Sequence, residues 1–505
     1  MTSPTSPSDL SLISPQTLLL VMALFVLPYV SFFFLLHRHL ATKPARFGSA
    51  IVLVLGDFGR SPRMMYHAKS LVGHGWETVV VAYGETDPIP ALLESPHLHL
   101  QYLSPLPFPL NLLPWPLRAP LRLLLQCFGM LYTVLWSVPF HTEFMLVQNP
   151  PSIPTLMLAQ ILCSLTGSKL VIDWHNEGWS ILGMRVGRGS PLVKVAKWME
   201  GFFGQVAHAH LFVTNALLTH LKKEFDLFGQ PAVLYDRPPS NFRRTDAMQQ
   251  HELFSRIVPT ISPPLPSTLA APDAHSTIFT TVSNSLSSLR PGRPALLVSS
   301  TSWTADEDFS LLLTALDAYE AASTTSTAKL PHLLCLITGK GPLRAEFETL
   351  VKAREASGRW TNVTARCLFV DARDYPSLLG CADLGVSLHT SSSGRDLPMK
   401  IVDMFGCGVP VLAKRFACLG ELVKEGKNGR TFDTGQELGQ EITNLLSDFP
   451  NNASLQTLQF FFTAQSESTP RSRAGTPVHD PDEWTTWEKN WDRVVFKGIL
   501  RRDRK

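Results

Sequence analysis

The sequence predicts an α/β protein: two Rossmann-like, doubly wound domains facing a cleft, behind an N-terminal transmembrane anchor helix. Three observations carry that expectation. Short apolar runs rich in β-branched residues recur with helix-sized segments between them. This strand–helix rhythm occurs twice, on either side of a Ser/Pro/Thr-rich stretch. Residues 10–36 carry no charge, which is length enough to span a bilayer.

The anchor comes first in the chain. A cleaved signal peptide would carry basic residues ahead of its apolar core, yet the only charge there is Asp9. Arg38, Lys43 and Arg46 come after the apolar run, with His37 and His39. The positive-inside rule then places residues 1–16 as a short lumenal tail, 17–37 as a single-span signal anchor, and the rest in the cytosol.

Residues 47–240 read as the first domain. AIVLVL (50–55) is a buried strand of a parallel sheet. In the adjoining GDFGRSPRMMYHA, Ser61 and Pro62 are N-cap and first-turn residues of a helix that ends near Gly73 and Gly75. ETVVVAY (77–83) completes a βαβ unit. Gly56 and Gly59 permit a tight turn that exposes backbone N–H groups, and Arg60 and Arg63 add charge at the helix N-terminus. Such a loop suits an anion, a phosphate best of all; the alternative is a solvated arginine pair. No G-x-G-x-x-G fingerprint is present there, so a hydride-transfer cofactor is not implied.

Within this domain, residues 105–140 hold six prolines before Arg122 and then 18 uncharged residues. They read as a membrane-associated or re-entrant segment, with a buried core helix as the alternative. KLVIDWHNEGWSI (169–181), AHLFVTN (209–215) and AVLYDRPP (232–239) are further strands with polar tips. Asp236 and Arg237 in the last of these suggest a turn or interdomain pair, with acceptor contact as the alternative.

Residues 241–294 read as a Ser/Pro-rich linker, partly disordered. The second domain spans 295–463, followed by a loose insertion at 464–482 and a C-terminal helix at 483–505. That helix places Trp484, Trp487 and Trp491 on one face as packing anchors. Lys plus Arg is 45 against 42 for Asp plus Glu, so no field favours nucleic acid. Seven cysteines, scattered and without C-x-x-C, read as reduced core residues and not as a zinc site or a disulfide frame.

The stretch most informative about chemistry is SLHTSSSGRDLPMKIVDMFGCGVPVLA (387–413). A strand enters a hydroxyl-rich loop, and Pro398 opens a helix with Lys400 in its first turn. Asp403 stands at i+3, on the face of Lys400. A cation at a helix N-terminus holds phosphates, and a carboxylate beside it accepts ribose hydroxyls. A surface Lys–Asp pair is the alternative.

This pattern resembles the nucleotide-sugar site of GT-B glycosyltransferases, whose retaining members carry Glu-x7-Glu here. Asp403 matches the second acidic position, while Arg395 stands at the first, which argues against the retaining subgroup. Together with GDFGRSPRMMYHAKSL, VIDWHNEGWSI, VLYDRPP, SSTSWTADEDFSLLL and ITGKGPL, it is similar to the chitobiosyldiphosphodolichol β-mannosyltransferase family of the endoplasmic reticulum. These motifs span residues 48–413.

The resemblance implies transfer of mannose from GDP-mannose to GlcNAc2-diphosphate-dolichol, with inversion to a β1,4 bond, on the cytosolic face of the endoplasmic reticulum membrane. It implies donor contacts from Ser302, Gly339, Lys340, Gly341, Arg395, Lys400 and Asp403. Gly56, Gly59, Arg60 and Arg63 would serve the acceptor diphosphate or the departing GDP. The general base is sought among the polar strand tips Asp57, His175 and Glu177, with Glu177 preferred. With no D-x-D pair, no tightly bound metal is expected, and soluble Mg²⁺ would at most assist. The expected partners are the lipid bilayer and a complex with other mannosyltransferases of the pathway. The competing readings are a membrane GT-B enzyme using UDP-GlcNAc and a non-catalytic scaffold; a Ser/His/Asp hydrolase lacks its G-x-S-x-G elbow.

Overall fold

The computed structural model describes residues 27–104, 112–325, 329–391, 393–467 and 484–501. The tail 1–16, the anchor as far as residue 26, the stretch 105–111 and most of the 464–482 insertion lie outside the described residues. The described end of the anchor is a helix, α1 (Leu27–Ala41), with Val30, Phe34 and Leu35 exposed.

Seven strands, β1 (Ala45–Asp57), β2 (Glu77–Tyr83), β3 (Leu98–Tyr102), β4 (His141–Asn149), β5 (Lys169–Trp174), β6 (Val206–Phe212) and β7 (Phe228–Val233), take the order β3-β2-β1-β4-β5-β6-β7. Between β1 and β2 runs the helix α2 (Pro62–Gly73), as the βαβ pattern predicts. A hairpin of β8 (Thr280–Ser283) and β9 (Leu286–Leu289) comes next. A parallel six-stranded sheet then uses β10 (Ala295–Ser300), β11 (Leu333–Thr338), β12 (Val363–Leu368), β13 (Leu384–Ser387), β14 (Val411–Lys414) and β15 (Gly429–Phe432) in the order β12-β11-β10-β13-β14-β15. Each order changes direction once, at β1/β4 and at β10/β13, the switch points of a doubly wound sheet. The expected fold class is therefore observed.

The chain forms two compact units. The first comprises Met1–Ser61, Leu71–Val147 and Met157–Leu170. Its strands β1 and β2 pair in parallel with Ile51 opposite Val79 and Leu53 opposite Val81, all four buried. Its long apolar helix runs from Trp115 to Tyr132 and continues through a π turn, Thr133–Ser137. Leu117–Ser137 is long and apolar enough to cross a membrane, and Leu124, Phe128 and Tyr132 are exposed on it. The end of this helix is tied to the end of α1. Lys43 Nζ donates to Leu135 O at 2.6 Å, His39 Nε2 bonds the same carbonyl at 3.1 Å, and His39 stacks on Trp136. Polar side chains of one helix end thus satisfy carbonyls that the last turn of the other leaves without partners.

The second unit comprises Pro62–Ser70, Gln148–Leu156 and Val171–Lys505. Its six-stranded sheet is covered on both faces, so its central strands are apolar at nearly every position. Ala295, Leu297, Leu333, Cys335 and Ile337 enter one core; Leu296, Val298, Leu334 and Leu336 enter the other. The period of two along each strand divides them.

The 241–294 segment departs from its expectation as a partly disordered linker. Asp246 caps a helix, α3 (Ala247–Ile257), by accepting from Gln249 N at 2.9 Å. Leu253, Phe254 and Ile257 enter the second core beside Leu296 and Val298, joined by Leu269, Ile278 and Phe279 from the rest of the segment. Its Ser/Pro composition masked apolar residues that share one helix face at spacing i, i+1, i+4.

Two glycines mark where backbones nearly touch. A Cβ on Gly339, whose φ is +138°, would lie 1.8 Å from Thr301 O, and one on Gly341 would lie 2.0 Å from Ser302 O. Neither clash is relieved by a side-chain rotation. Gly339→Ala should lower conformational stability by more than about 3 kcal/mol, combining strained φ with overpacking. Gly358→Ala, where φ is also positive but space is open, should lower it by only about 1 kcal/mol. Chemical denaturation of the two variants tests this.

Candidate active site

The site is built on one buried aspartate at the carboxyl end of β5, in the second unit. Asp173 has no solvent exposure. Helix α2 presents Arg63 and His67 one turn apart on one face. Arg63 Nε and Nη2 donate to the two oxygens of Asp173, each at 2.8 Å. Its Nη1 donates to Asp236 Oδ1 at 2.7 Å and to Leu234 O at 2.9 Å. Arg63 also lies over Trp487, 5.5 Å from the ring centroid.

His67 completes the cluster, and its tautomer is set by its neighbours. Trp491 Nε1 contacts His67 Nδ1 at 2.9 Å, and an indole N–H can only donate. The proton of neutral His67 therefore sits on Nε2, which donates to Asp173 Oδ2 at 3.2 Å. Burial pushes the His67 pKa down, outweighing Asp173, so the ring stays neutral. Asp173 is held well below the usual carboxylate range: burial opposes ionisation, but Arg63 and His175 overcome it.

His175 stands two residues on, with its Nε2 at 2.8 Å from Asp173 Oδ2 and its side chain 22% exposed. An ionised carboxylate only accepts, so Nε2 carries the proton and Nδ1 of the neutral ring keeps its lone pair. This is the geometry of an oriented general base.

Several expected ligands have other roles. Arg63 is 6% exposed and fully engaged by Asp173 and Asp236, so it is a structural cation and not an anion ligand. Arg60 is 76% exposed, with Asp57 at 3.4 Å as its partner, and remains open to solvent. Asp57 accepts from the backbone N–H groups of Glu85 and Thr86 at 3.2 and 3.1 Å. Burial raises its pKa, yet the bonds from Thr86 and Glu85 prevail and lower it, so it braces a loop and is a poor base. Gly59 is explained by the same loop: a Cβ there would lie 2.3 Å from Thr86 O. Gly56 has open space around its Cβ position save Val54. Ser61 does not cap its helix; its hydroxyl donates to Asp57 O.

Glu177, the preferred base, is fully buried. Arg395 Nη1 donates to its Oε2 at 2.9 Å, and His220 Nε2 lies 2.6 Å from Oε1 without hydrogen-bond alignment. Glu177 thus tethers Arg395 through one nitrogen, and the Arg395 side chain is 28% exposed. Arg395 O also accepts from Thr214 Oγ1.

Lys400, on a helix spanning Met399–Gly406, pairs with Glu307 at 3.0 Å and not with Asp403. Glu307 accepts in addition from the Thr301 hydroxyl and from Ser302 N. One buried carboxylate thus holds Lys400 and the 301–303 loop together, and Trp303 there adopts φ of +53°. Lys340 is exposed, with its ammonium 3.6 Å from the centre of the Phe369 ring.

Asp403 is half-buried, 3.5 Å from the Tyr375 hydroxyl. Burial lifts its pKa to about 7, aided by the charge of Asp236 and opposed by the Tyr375 hydroxyl. Two aspartates of the site are thus shifted in opposite directions.

Asp173, His67 and Glu307 escaped the sequence reading. Asp173 falls on an apolar strand, and only its spacing of two from His175, on the same strand face, signals the pair. Among the described residues, no group of three His, Cys, Asp or Glu side chains is placed to hold a metal ion. All seven cysteines are free thiols.

The fold and the strand-end constellation define the class: residues 294–448 match the family described as Glycosyl transferases group 1, and the chain is a glycosyltransferase of GT-B architecture. A solved structure of this shape is the sucrose-phosphate synthase of Thermosynechococcus elongatus, at a TM-score of 0.55 and 13% identity over 91% of this chain and 99% of that one. Two curated relatives are closer in sequence. The human chitobiosyldiphosphodolichol beta-mannosyltransferase is 42% identical over 407 residues, 80% of this chain and 85% of its own. The mouse protein of that name is 40% identical over 449 residues, 88% of each. The chain belongs to the chitobiosyldiphosphodolichol beta-mannosyltransferase family.

The ion cluster and the protonated aspartate each give a testable outcome. Arg63→Met would leave Asp173 and Asp236 without their cation, and should cost about 3–5 kcal/mol in denaturant unfolding. Asp403→Asn tests the raised pKa. Folded Asp403 keeps its proton to about pH 7, whereas the unfolded residue loses it near 3.8. The stabilising effect of the protonated form is full below 3.8 and is lost as pH rises towards 7. The variant is neutral throughout, so its melting temperature relative to the parent should climb between about pH 4 and 7 and level off above.

Proposed function

We propose that this chain transfers mannose from GDP-mannose to GlcNAc2-diphosphate-dolichol, on the cytosolic face of the endoplasmic reticulum membrane, with inversion to a β1,4 bond. The observation that carries this reading is the Asp173–His175 pair at the end of β5, in a chain 42% identical to a mannosyltransferase of that name. In the proposed step, His175 Nδ1 takes the proton of the acceptor hydroxyl. Its oxygen forms the new bond to mannose C1 as the bond from C1 to the donor phosphate breaks, and the electron pair leaves on GDP. A single in-line displacement of an α-linked donor leaves a β-linked product.

Asp173 orients His175 and stabilises the imidazolium that forms. Arg63 offsets only part of the negative charge of Asp173 and Asp236, so a positive His175 is welcome beside them. For the departing diphosphate, Lys400 and Lys340 are the proposed cations and the Ser302 hydroxyl a proposed donor, with Glu307 positioning Lys400 and the backbone of Ser302. Arg60 is proposed as a solvent-facing cation of the first unit. The chemistry needs no tightly bound cofactor; soluble Mg²⁺ can shield the diphosphate. The anchor that ends in α1 would hold the enzyme at the membrane that carries its acceptor, beside other mannosyltransferases of the pathway.

The test is a transfer assay with full-length protein in detergent, offering radiolabelled GDP-mannose or UDP-GlcNAc to GlcNAc2-diphosphate-phytanyl. The expected product comes from GDP-mannose alone and is cleaved by β-mannosidase; product from UDP-GlcNAc, or none from either, overturns the proposal. His175→Ala should lower kcat by about 10²–10⁴ with an unchanged melting temperature.

A further inference from the structure

A cavity of about 440 Å³ opens beside the catalytic pair in the second unit, within the roughly 300–1,000 Å³ common for small-ligand sites. Its walls are apolar: Pro150 and Ile153 after β4, Ile181 and Leu182 on the helix Gly178–Val186, and Ala196 on the helix Pro191–Gly204. Arg185 is the cation of its lining, exposed to solvent.

The floor is polar. Glu200 is buried and accepts from Asn149 Nδ2 at 2.9 Å, Trp179 N at 3.0 Å and Gly178 N at 3.2 Å. Asn149 O accepts from His175 N at 2.8 Å, so one residue connects this floor to the base. Trp179 Nε1, from the lining, is buried without a hydrogen-bond partner. A buried donor in this condition calls for a ligand or water.

The two helices of the wall pack on each other. The second turns Leu192, Val195, Trp198 and Phe202 to solvent, with Lys194 and Lys197 among them. A Trp- and Phe-bearing apolar face with interspersed lysines suits the boundary of a bilayer.

We propose that this cavity is the polyprenyl diphosphate subsite of the acceptor. The first isoprene units lie against Ile181, Leu182 and Pro150, and Arg185 holds the diphosphate at the mouth by charge-assisted hydrogen bonds. The remaining chain passes over Val195 and Trp198 towards the membrane, and the sugar end reaches His175. The assignment rests on the proposed acceptor, and it replaces Arg63 with Arg185 as a diphosphate ligand.

The experiment uses geranylgeranyl diphosphate bearing a diazirine on its first isoprene unit, a probe without sugar, on the full chain in detergent. After photolysis, mass spectrometry should find label within 150–153 and 178–186. Arg185→Gln and, separately, Leu182→Trp should each reduce that label at least tenfold with an unchanged melting temperature. Geranylgeraniol with the same diazirine, lacking the diphosphate, should label the segment at least tenfold less. Label elsewhere, equal labelling by the alcohol, or label indifferent to both substitutions overturns the subsite. In the transfer assay, Leu182→Trp should raise the acceptor KM at least tenfold and leave the GDP-mannose KM unchanged; an unchanged acceptor KM overturns it too. Pocket labelling without any mannosyl transfer would retain the subsite and refute the proposed reaction, whereas transfer with label elsewhere would do the reverse.

Discussion

A buried guanidinium organises the second unit. Moving Arg63 out of water is tolerable only with opposite charge at hydrogen-bond distance, and the chain supplies it from two places: Asp173 at the end of β5 and Asp236 beyond β7. The planar fork of arginine matches both oxygens of Asp173 at once, which a lysine cannot do. Once that pair forms, the remaining contacts of Asp173 select the positions of His67 and His175, and Trp491 selects the tautomer of His67. Trp487 and Trp491 close the cluster from the C-terminal helix, as the spacing of the tryptophans suggested. Trp487 also donates to Ser70 at 3.0 Å.

The legibility of the sequence divided along a physical line. Buried parallel strands are apolar at nearly every position, so β1, β2, β5, β10 and β11 are visible as short runs. The division of charges is not visible, because exposure is a property of packing. Arg60 and Arg63 are three residues apart and look equivalent in sequence, yet one is 76% exposed and the other 6%. Glu177 and His175 both occupy a strand tip. The partners of Glu177, Arg395 and His220, are distant in the chain, while His175 turns its Nε2 to Asp173, two residues away. Composition misled at 241–294, where prolines and serines surround a capped helix whose apolar face is needed by the second core.

Asp173 and Asp403 illustrate how environment, not residue type, assigns chemistry. Asp173 is fully buried and Asp403 half-buried. Asp173 meets a guanidinium and an imidazole and stays ionised; Asp403 meets a tyrosine and the field of Asp236 and holds its proton to about pH 7. Neutral Asp403 lets a second carboxylate sit near Asp236 without a second cation. The charge of Arg63 therefore remains committed to Asp173 and Asp236.

That commitment bears on how a diphosphate can be held. A cation already saturated by buried carboxylates gains little from a phosphate, since each new bond would replace one of equal kind and expose a buried charge. Anion ligands should be sought among cations whose present contacts are weak or half-solvated. By that criterion Lys340, resting on an aromatic face, Lys400 and Arg395, each paired with one carboxylate oxygen, and exposed Arg60 and Arg185 qualify, whereas Arg63 does not. The buried pairs have a different value. They are formed before substrate arrives, so in the proposed step the dipoles around His175 need no rearrangement when it takes the acceptor's proton.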